Sequence, residues 1–296
     1  MKNLNFIASV IGLKCFTAEY FTTSIIIPGS SLFIIALSVL VFSALFPVAA
    51  SAAEVIGHRG AAFYAPENTL SSIRAALAMG VDGVEIDVHL TKDKKIAVFH
   101  DKDTRRISGG KYDFNISEKT YDELKHIDAG SHKAPEFKDE RIPLLEEVLA
   151  LMPEDKKLFI EIKCGAEIFE FLPAQLETIK RAERIVIICF SLDVAALSKV
   201  LMPRFESYWI LGSKFFEGAK IEDALKIAAA NNLDGIDIDH KLASADYIKK
   251  TKSAGLKFYV WTLDEPRRAA VLKLYGLDGI TSNKPDIIIE ALKNRR

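Results

Sequence analysis

Cysteine is scarce in this chain of 296 residues: there are three, and two of them, Cys164 and Cys189, lie beyond the N-terminal segment. That supply excludes a disulfide scaffold and a thiol-rich zinc site, and one bridge is the upper limit. Net charge is nearly absent as well, with 39 Lys plus Arg against 40 Asp plus Glu. No broad field is available to gather nucleic acid or acidic lipid, so no nucleic-acid partner is expected and specificity has to come from a local site. Past Glu54 there is no internal repeat, low-complexity tract or Pro/Gly/Ser-rich linker, which favours one domain over several. The composition, 49% apolar and 27% charged, excludes disordered and collagen-like chains.

Charge is missing altogether from residues 21–53. Within that stretch, residues 32–46 are Leu, Ile, Val, Phe and Ala, broken by Ser38 and Ser43, which is the length of a signal-peptide core. Pro47 and then Ala50-Ser51-Ala52 follow, small residues of the kind a signal peptidase accepts. Residues 1–52 therefore read as a signal peptide cleaved after Ala52, the alternative being an uncleaved membrane anchor, which needs about 20 apolar residues. Either way residues 53–296 are expected to be exported, periplasmic or secreted, with a membrane as partner only if the N-terminal segment is uncleaved.

From Val55 onward, apolar runs of strand length alternate with segments of helical period. Strands are expected at 55–58, 84–90, 158–163, 185–190, 208–211, 235–239, 258–262 and 279–282. Helices are expected near 67–79, 144–152, 166–181, 192–201, 221–231, 243–254, 265–274 and 285–294. Eight such units, over close to the roughly 250 residues typical of the fold, indicate an α/β protein with a TIM (β/α)8 barrel. A further run at 96–100 follows the second strand after Lys92-Asp93-Lys94-Lys95, too short a link for a crossover helix, so it folds back antiparallel. A two-residue turn at Asp93-Lys94 would pair residue 92 with 95 and set His100 opposite Asp87. Residues 101–143 then form a long loop over the barrel mouth, with a short helix near 121–126.

The ends of these strands are unusually charged, and in a TIM barrel that is where chemistry gathers. His58-Arg59-Gly60 closes the first strand, Glu85 and Asp87 lie on the second, and His100-Asp101 ends the returning strand. Glu161 and Lys163 lie on the third, and Asp237 and Asp239, with His240, on the sixth. Side-chain alternation turns Glu85 and Asp87 inward together, and Glu161 with Lys163, while Phe159, Ile160 and Ile162 are assigned to the outward set. Three carboxylates at one mouth repel one another unless a cation compensates them. An oxygen-only ligand set suits Mg²⁺ or Ca²⁺; the competing reading is a buried ion-pair network of Glu161 with Lys163 or Arg59. His58 and His100, beside an Arg and a Lys, suit acid/base work on an anionic substrate. The cluster offers no Ser, Cys or Thr flanked by a base, so the nucleophile is water or a hydroxyl of the substrate. Glu67 and Asn68 either serve the site directly, or Asn68 or Thr69 caps the first helix. Trp209, Trp261, Phe215 and Phe216 are candidates for the mouth and His240 for substrate contact, while His126 and His132 read as solvated loop residues.

Taken together, His58-Arg59-Gly60, Pro66-Glu67-Asn68-Thr69, Glu85-Ile86-Asp87, His100-Asp101 and Glu161-Ile162-Lys163 resemble the glycerophosphodiester phosphodiesterase family. The resemblance runs from about residue 55 to 291 and includes Val260-Trp261-Thr262 and Gly279-Ile280-Thr281-Ser282-Asn283-Lys284-Pro285. It implies a TIM barrel, one divalent cation and hydrolysis of glycerophosphodiesters to an alcohol and glycerol 3-phosphate. By position it implies Glu85, Asp87 and Glu161 as metal ligands, His58 and His100 as the acid/base pair, and Arg59 and Lys163 as phosphate contacts. A lysophospholipase D or phospholipase C-like activity on lipid diesters is the alternative within the enzymes; a non-catalytic barrel would lack one of these groups.

Mass spectrometry of the exported protein should find an N-terminus near Ala53; a species that retains residues 32–46 contradicts cleavage.

Overall fold

The computed structural model describes residues 53–293, and the signal-peptide reading falls on residues outside that range. The strands are β1 (Glu54–Gly57), β2 (Gly83–Leu90), β3 (Ile96–Val98), β4 (Lys157–Ile162), β5 (Ile185–Cys189), β6 (Glu206–Leu211), β7 (Gly235–Asp239), β8 (Lys257–Trp261) and β9 (Gly279–Ser282). All but β3 pair in parallel, in the order β1-β9-β8-β7-β6-β5-β4-β2, and the β1–β2 pairing closes the ring. The helices are α1 (Leu70–Ala78), α2 (Tyr121–Leu124), α3 (Leu145–Leu151), α4 (Leu172–Leu176), α5 (Leu192–Leu201), α6 (Ser213–Phe216), α7 (Ile221–Ala230), α8 (Ala245–Ser253), α9 (Pro266–Leu274) and α10 (Pro285–Lys293). This is the expected TIM barrel, with β3 outside the ring. Among the described residues no helix is long and apolar enough to cross a membrane.

The alternation of side chains divides two cores. Outward residues such as Val55, Val84, Ile86, Val88, Ile160 and Ile162 pack beneath the helices, whereas Ile56, Phe159, Val186, Ile188, Tyr208, Ile210 and Tyr259 fill the barrel. Phe159 thus belongs to the inner set and not to the outward one; it shares the parity of Glu161. Below this layer the barrel is closed by polar groups that satisfy one another. Tyr259 donates to Glu54 at 2.7 Å and Tyr208 to Glu206, and these two carboxylates pair with Lys157 at 2.7 Å and Lys257 at 2.8 Å.

Three local expectations are corrected. The β2–β3 hairpin pairs Val88 with Val98 and Leu90 with Ile96, one residue off the expected register, so Phe99 and not His100 lies opposite Asp87, its N–H bonding the Asp87 carbonyl at 2.9 Å. The turn is longer by a residue because Lys94 adopts φ +66° and the Thr91 hydroxyl accepts the Lys95 N–H at 2.9 Å, which makes a three-residue loop. The helix expected over 166–181 is broken into a 3₁₀ turn at Ala166–Glu170 and α4, since Pro173 is tolerated in the first turn of a helix but not within one. The first helix starts at Leu70 and not at Glu67, where Asn68 sits at φ +59° and Thr69 caps the helix by accepting the Ser72 N–H. The two cysteines, Cys164 and Cys189, are unpaired.

The segment between β3 and α3 carries a small core of its own, built on Phe99, Ile107, Ile116, Leu124, Ile127 and Ile142. It is therefore a packed excursion whose inner residues are held at the barrel mouth.

Gly279 packs against the face of Tyr259, and a Cβ there would lie 2.2 Å from the ring. Gly279→Ala should destabilise the domain by about 1–3 kcal/mol, read as a lower denaturant midpoint with unchanged slope.

Candidate active site

The charged strand ends meet in one cavity of about 150 Å³, lined by His58, Arg59, Glu85, His100, Glu161, Lys163, Ile188, Phe190, Ile210, Asp237, Trp261, Thr262 and Thr281. Asp87 lies just behind the surface, fully buried. One carboxylate oxygen from each of Glu85, Asp87 and Glu161 falls within 4.8 Å of the others. Glu85 and Asp87 stand two residues apart on β2, and β4 pairs in register so that Glu161 lies beside Asp87.

Around these acids the protein has arranged donors. The loop after β1 takes Arg59 to φ +50°, a conformation that costs a non-glycine residue about 1–3 kcal/mol and that directs its backbone N–H to Glu85 Oε2 at 2.8 Å. Its guanidinium reaches Asp87 Oδ2 at 3.2 Å and Glu67 at 2.8 Å. Gly60, at φ +86°, is required because a Cβ would enter the Ser72 backbone of α1. Asn68 grips Asp87 twice, donating from Nδ2 to Oδ2 at 2.8 Å and accepting the Asp87 N–H at 3.1 Å. The two readings of Asn68 and Thr69 thus resolve separately: Thr69 caps the helix and Asn68 holds the site. Lys163 pairs with Glu161 at 2.7 Å and Asp87 at 3.4 Å.

Electrostatics divides the three acids. Burial raises Glu85 well above the usual carboxylate range, with Asp87 and Glu161 adding repulsion, and burial with repulsion from Asp87 raises Glu161 to about 7. For Asp87 burial acts in the same sense, but Arg59 and Lys163 outweigh it and hold the carboxyl below its ordinary value. Two cations thus compensate one acid fully and leave the other two under-compensated. Glu85 Oε1 and Asp87 Oδ1 are buried with no hydrogen-bond partner among the described residues. Asp87 Oδ1 still has Lys163 at 3.4 Å, but Glu85 Oε1 is open, and an open oxygen among converging carboxylates fits a hard divalent cation. It fits a self-contained ion-pair network poorly, because such a network would leave no acceptor open.

The two histidines are held by their Nδ1 atoms. Asn283 donates to Asp264 at 2.9 Å from Nδ2, so its Oδ1 is the acceptor for His58 Nδ1–H at 2.7 Å. His58 Nε2 is left facing the site, 4.0 Å from Glu85. Burial, reinforced by the Arg59 charge, lowers His58 to about 4, so its ring is neutral at pH 7. His100 Nδ1 bonds Asp101 at 2.7 Å, and Arg106 ties that Asp to Glu67. Burial lowers His100 as well. His89, buried beside the site, bonds the His100 carbonyl at 3.1 Å and so steadies the end of the returning strand.

All seven candidate residues, His58, Arg59, Glu85, Asp87, His100, Glu161 and Lys163, are brought together. Of the aromatics, Trp261 lines the cavity and stacks edge-on with Phe190 at 5.4 Å. Trp209 instead packs on Phe215, which packs on Phe216, in the outer core, because Trp209 has the outward parity on β6. His240 is not among the lining residues. Asn283, Asp264 and Asp101 carry the positioning bonds; Asp101 and Asn283 stand within the quoted motifs without an assigned role, and Asp264 lies outside them. The stretches Thr281-Ser282-Asn283 and Trp261-Thr262-Leu263-Asp264 contain two of the three but do not disclose their contact.

A family model described as the glycerophosphoryl diester phosphodiesterase family matches residues 58–287. A Bacillus subtilis protein is 33% identical over 239 residues, 80% of this chain and 96% of its own length. A glycerophosphodiester phosphodiesterase of Caldanaerobacter subterraneus is 29% identical over 244 residues, 81% and 97%. The solved phosphodiesterase of Oleispira antarctica, in complex with the product sn-glycerol-3-phosphate, superposes with a TM-score of 0.74 at 28% identity over 81% of this chain and 97% of that one. With the barrel, the acid trio and the two histidines in a single cavity, and with the match spanning nearly all of the described residues, this chain belongs to the glycerophosphoryl diester phosphodiesterase family.

Proposed function

We propose that the protein hydrolyses glycerophosphodiesters to an alcohol and glycerol 3-phosphate, with His58 and His100 as the acid/base pair and Arg59 and Lys163 as phosphate contacts. The observation that carries this reading is the convergence of two Nδ1-anchored imidazoles on a buried carboxylate trio flanked by two cations. Glu85, Asp87 and Glu161 would hold one divalent cation, Ca²⁺ or Mg²⁺, which supplies compensation for the charge that grows on the nonbridging oxygens.

The chain's own groups do the rest. Arg59 and Lys163 orient the diester and balance its charge. One imidazole, neutral at the start, takes a proton at Nε2 from the attacking hydroxyl while the other, which enters the step protonated at Nε2, donates that proton to the departing alkoxide. Because no Ser, Thr or Cys paired with a base stands in the cavity lining, the hydroxyl adjacent to the phosphate on the glycerol moiety is the favoured nucleophile. Such intramolecular attack benefits from effective molarities of about 10⁵ M or more. A cyclic phosphate then forms, and water opens it with the histidine roles exchanged. The leader-like character of residues 1–52 supports action outside the cytoplasm.

Product analysis of residues 53–296 on glycerophosphocholine, with and without chelator, tests the activity: glycerol 3-phosphate and choline are expected, and their absence with cation present contradicts it. Exhaustive chelation should abolish turnover and either Ca²⁺ or Mg²⁺ should restore it. Glu161→Gln should weaken cation binding, measured by calorimetry, while circular dichroism stays unchanged.

His58→Ala and His100→Ala should each lose about 10²–10⁴-fold in kcat with little change in KM. A diester whose hydroxyl next to the phosphate is removed should react far more slowly, in kcat more than in KM; equal rates would rule out attack by that hydroxyl.

A further inference from the structure

One carboxyl in the cavity has no part in this scheme. Asp237 is on β7, 2% exposed, and its Oδ1 is buried with no hydrogen-bond partner among the described residues. The charged group that acts on it is another acid, Glu161. Each of the other acids inside the barrel has at least one donor or cation of its own. Glu54 and Glu206 each have a lysine and a tyrosine hydroxyl, Asp87 has Arg59, Lys163 and Asn68, Glu85 has the Arg59 N–H, and Glu161 has Lys163. A buried carboxyl without a partner weakens a fold, so the reason for Asp237 lies in something that enters the cavity.

Its position narrows what that is. In the ring β7 is four places from β2 in either direction, so Asp237 faces the Glu85–Asp87 strand from the opposite wall. Apart from Thr262 and Thr281, the lining on that side is apolar. Ile210 is its register neighbour on β6, Ile188 adds to the lining, and Trp261 covers it, with the indole Nε1 donating to the Asp237 backbone carbonyl at 3.3 Å. A second cation is a poor occupant, because Asp237 does not join any group of converging ligand atoms among the described residues. The wall suits a short carbon chain that lays its C–H face on Ile and Trp and turns one O–H inward. The cavity, about 150 Å³, accommodates a phosphate and a three-carbon polyol, while a larger alcohol group has to extend out of the mouth.

We propose that Asp237 is a specificity-determining residue whose buried carboxyl accepts a hydrogen bond from the terminal hydroxyl of the glycerol moiety, so that polyol diesters are selected over diesters of simple diols. The assignment rests on the glycerophosphodiesterase reading above and deepens it. A hydrogen bond to such a group discriminates about 10- to 100-fold in kcat/KM.

The test pairs glycerophosphocholine with an analogue in which the terminal hydroxyl is replaced by hydrogen and the hydroxyl next to the phosphate is kept. The wild-type protein should prefer the glycerol diester about 10- to 100-fold. Asp237→Val should bring that preference below about 3-fold through a raised KM for the glycerol diester, with turnover of the analogue retained. Equal kinetics of wild type on both diesters, or a full preference surviving in Asp237→Val, overturns the proposal. Product inhibition of the wild type gives a second reading that needs no variant: glycerol 3-phosphate should inhibit at lower concentration than propane-1,2-diol phosphate, and equal inhibition overturns it. Inhibition by free choline that disappears in Asp237→Val would place a cationic head group at this carboxyl and overturns it too. If the wild type turns over neither diester, the functional reading itself fails; equal turnover of both refutes Asp237 alone.

Discussion

Three carboxylates in one buried volume are the constraint from which the local architecture follows. In a medium that screens charge weakly, Glu85, Asp87 and Glu161 cannot all be ionised at once without opposing charge. The fold meets this with two cations and several aimed donors, concentrated on Asp87, and leaves a Glu85 oxygen open for a further positive charge. The left-handed backbone of Arg59 and the two-point grip of Asn68 are explicable as means of bringing donors to those acids, and Gly60 lets that loop lie against Ser72 of α1.

The two ends of the barrel divide the work. At the N-terminal ends of the strands, Tyr208 and Tyr259 donate to acids that are paired with lysines, so the polar groups there are mutually satisfied. Above them the aromatic layer with Phe159 closes the interior. At the C-terminal ends polar atoms remain without partners, the usual mark of a functional end. The excursion after β3 adds its own apolar core, which lets Asp101 and Arg106 reach back to His100 and Glu67 as part of a folded unit. The histidines are both anchored through Nδ1, one by an amide and one by a carboxylate, so their Nε2 atoms are the ones available for proton transfer.

Much of this was legible in the sequence because strands of a barrel obey a period of two and carry chemistry at their C-terminal ends. Glu85 with Asp87, and Glu161 with Lys163, announce a shared face by spacing alone. The motifs that resemble the phosphodiesterase family add His58, Arg59 and His100. Spacing failed where a single residue decides the outcome. The αL conformation of Lys94 lengthened a turn and shifted the β2–β3 register by one, which moved His100 from the place opposite Asp87. Pro173 likewise divided a segment whose apolar period suggested one helix.

The order of strands and helices, the closed parallel barrel and the identity of the charged groups at its mouth were determined by the sequence itself, since they rest on local periodicity and on residue chemistry. Tertiary structure decided which of those groups touch. Asn283 reaches His58 across 225 residues and is itself held by Asp264, 19 residues before it, and Asn68, just ahead of α1, holds Asp87. Glu161 and Asp237, both read from sequence as charged groups on barrel strands, differ because Glu161 meets Lys163 whereas Asp237 has Ile210 beside it and Trp261 over it. Hydrogen bonding and desolvation depend on partners brought together by closure of the ring, and no spacing along the chain encodes them.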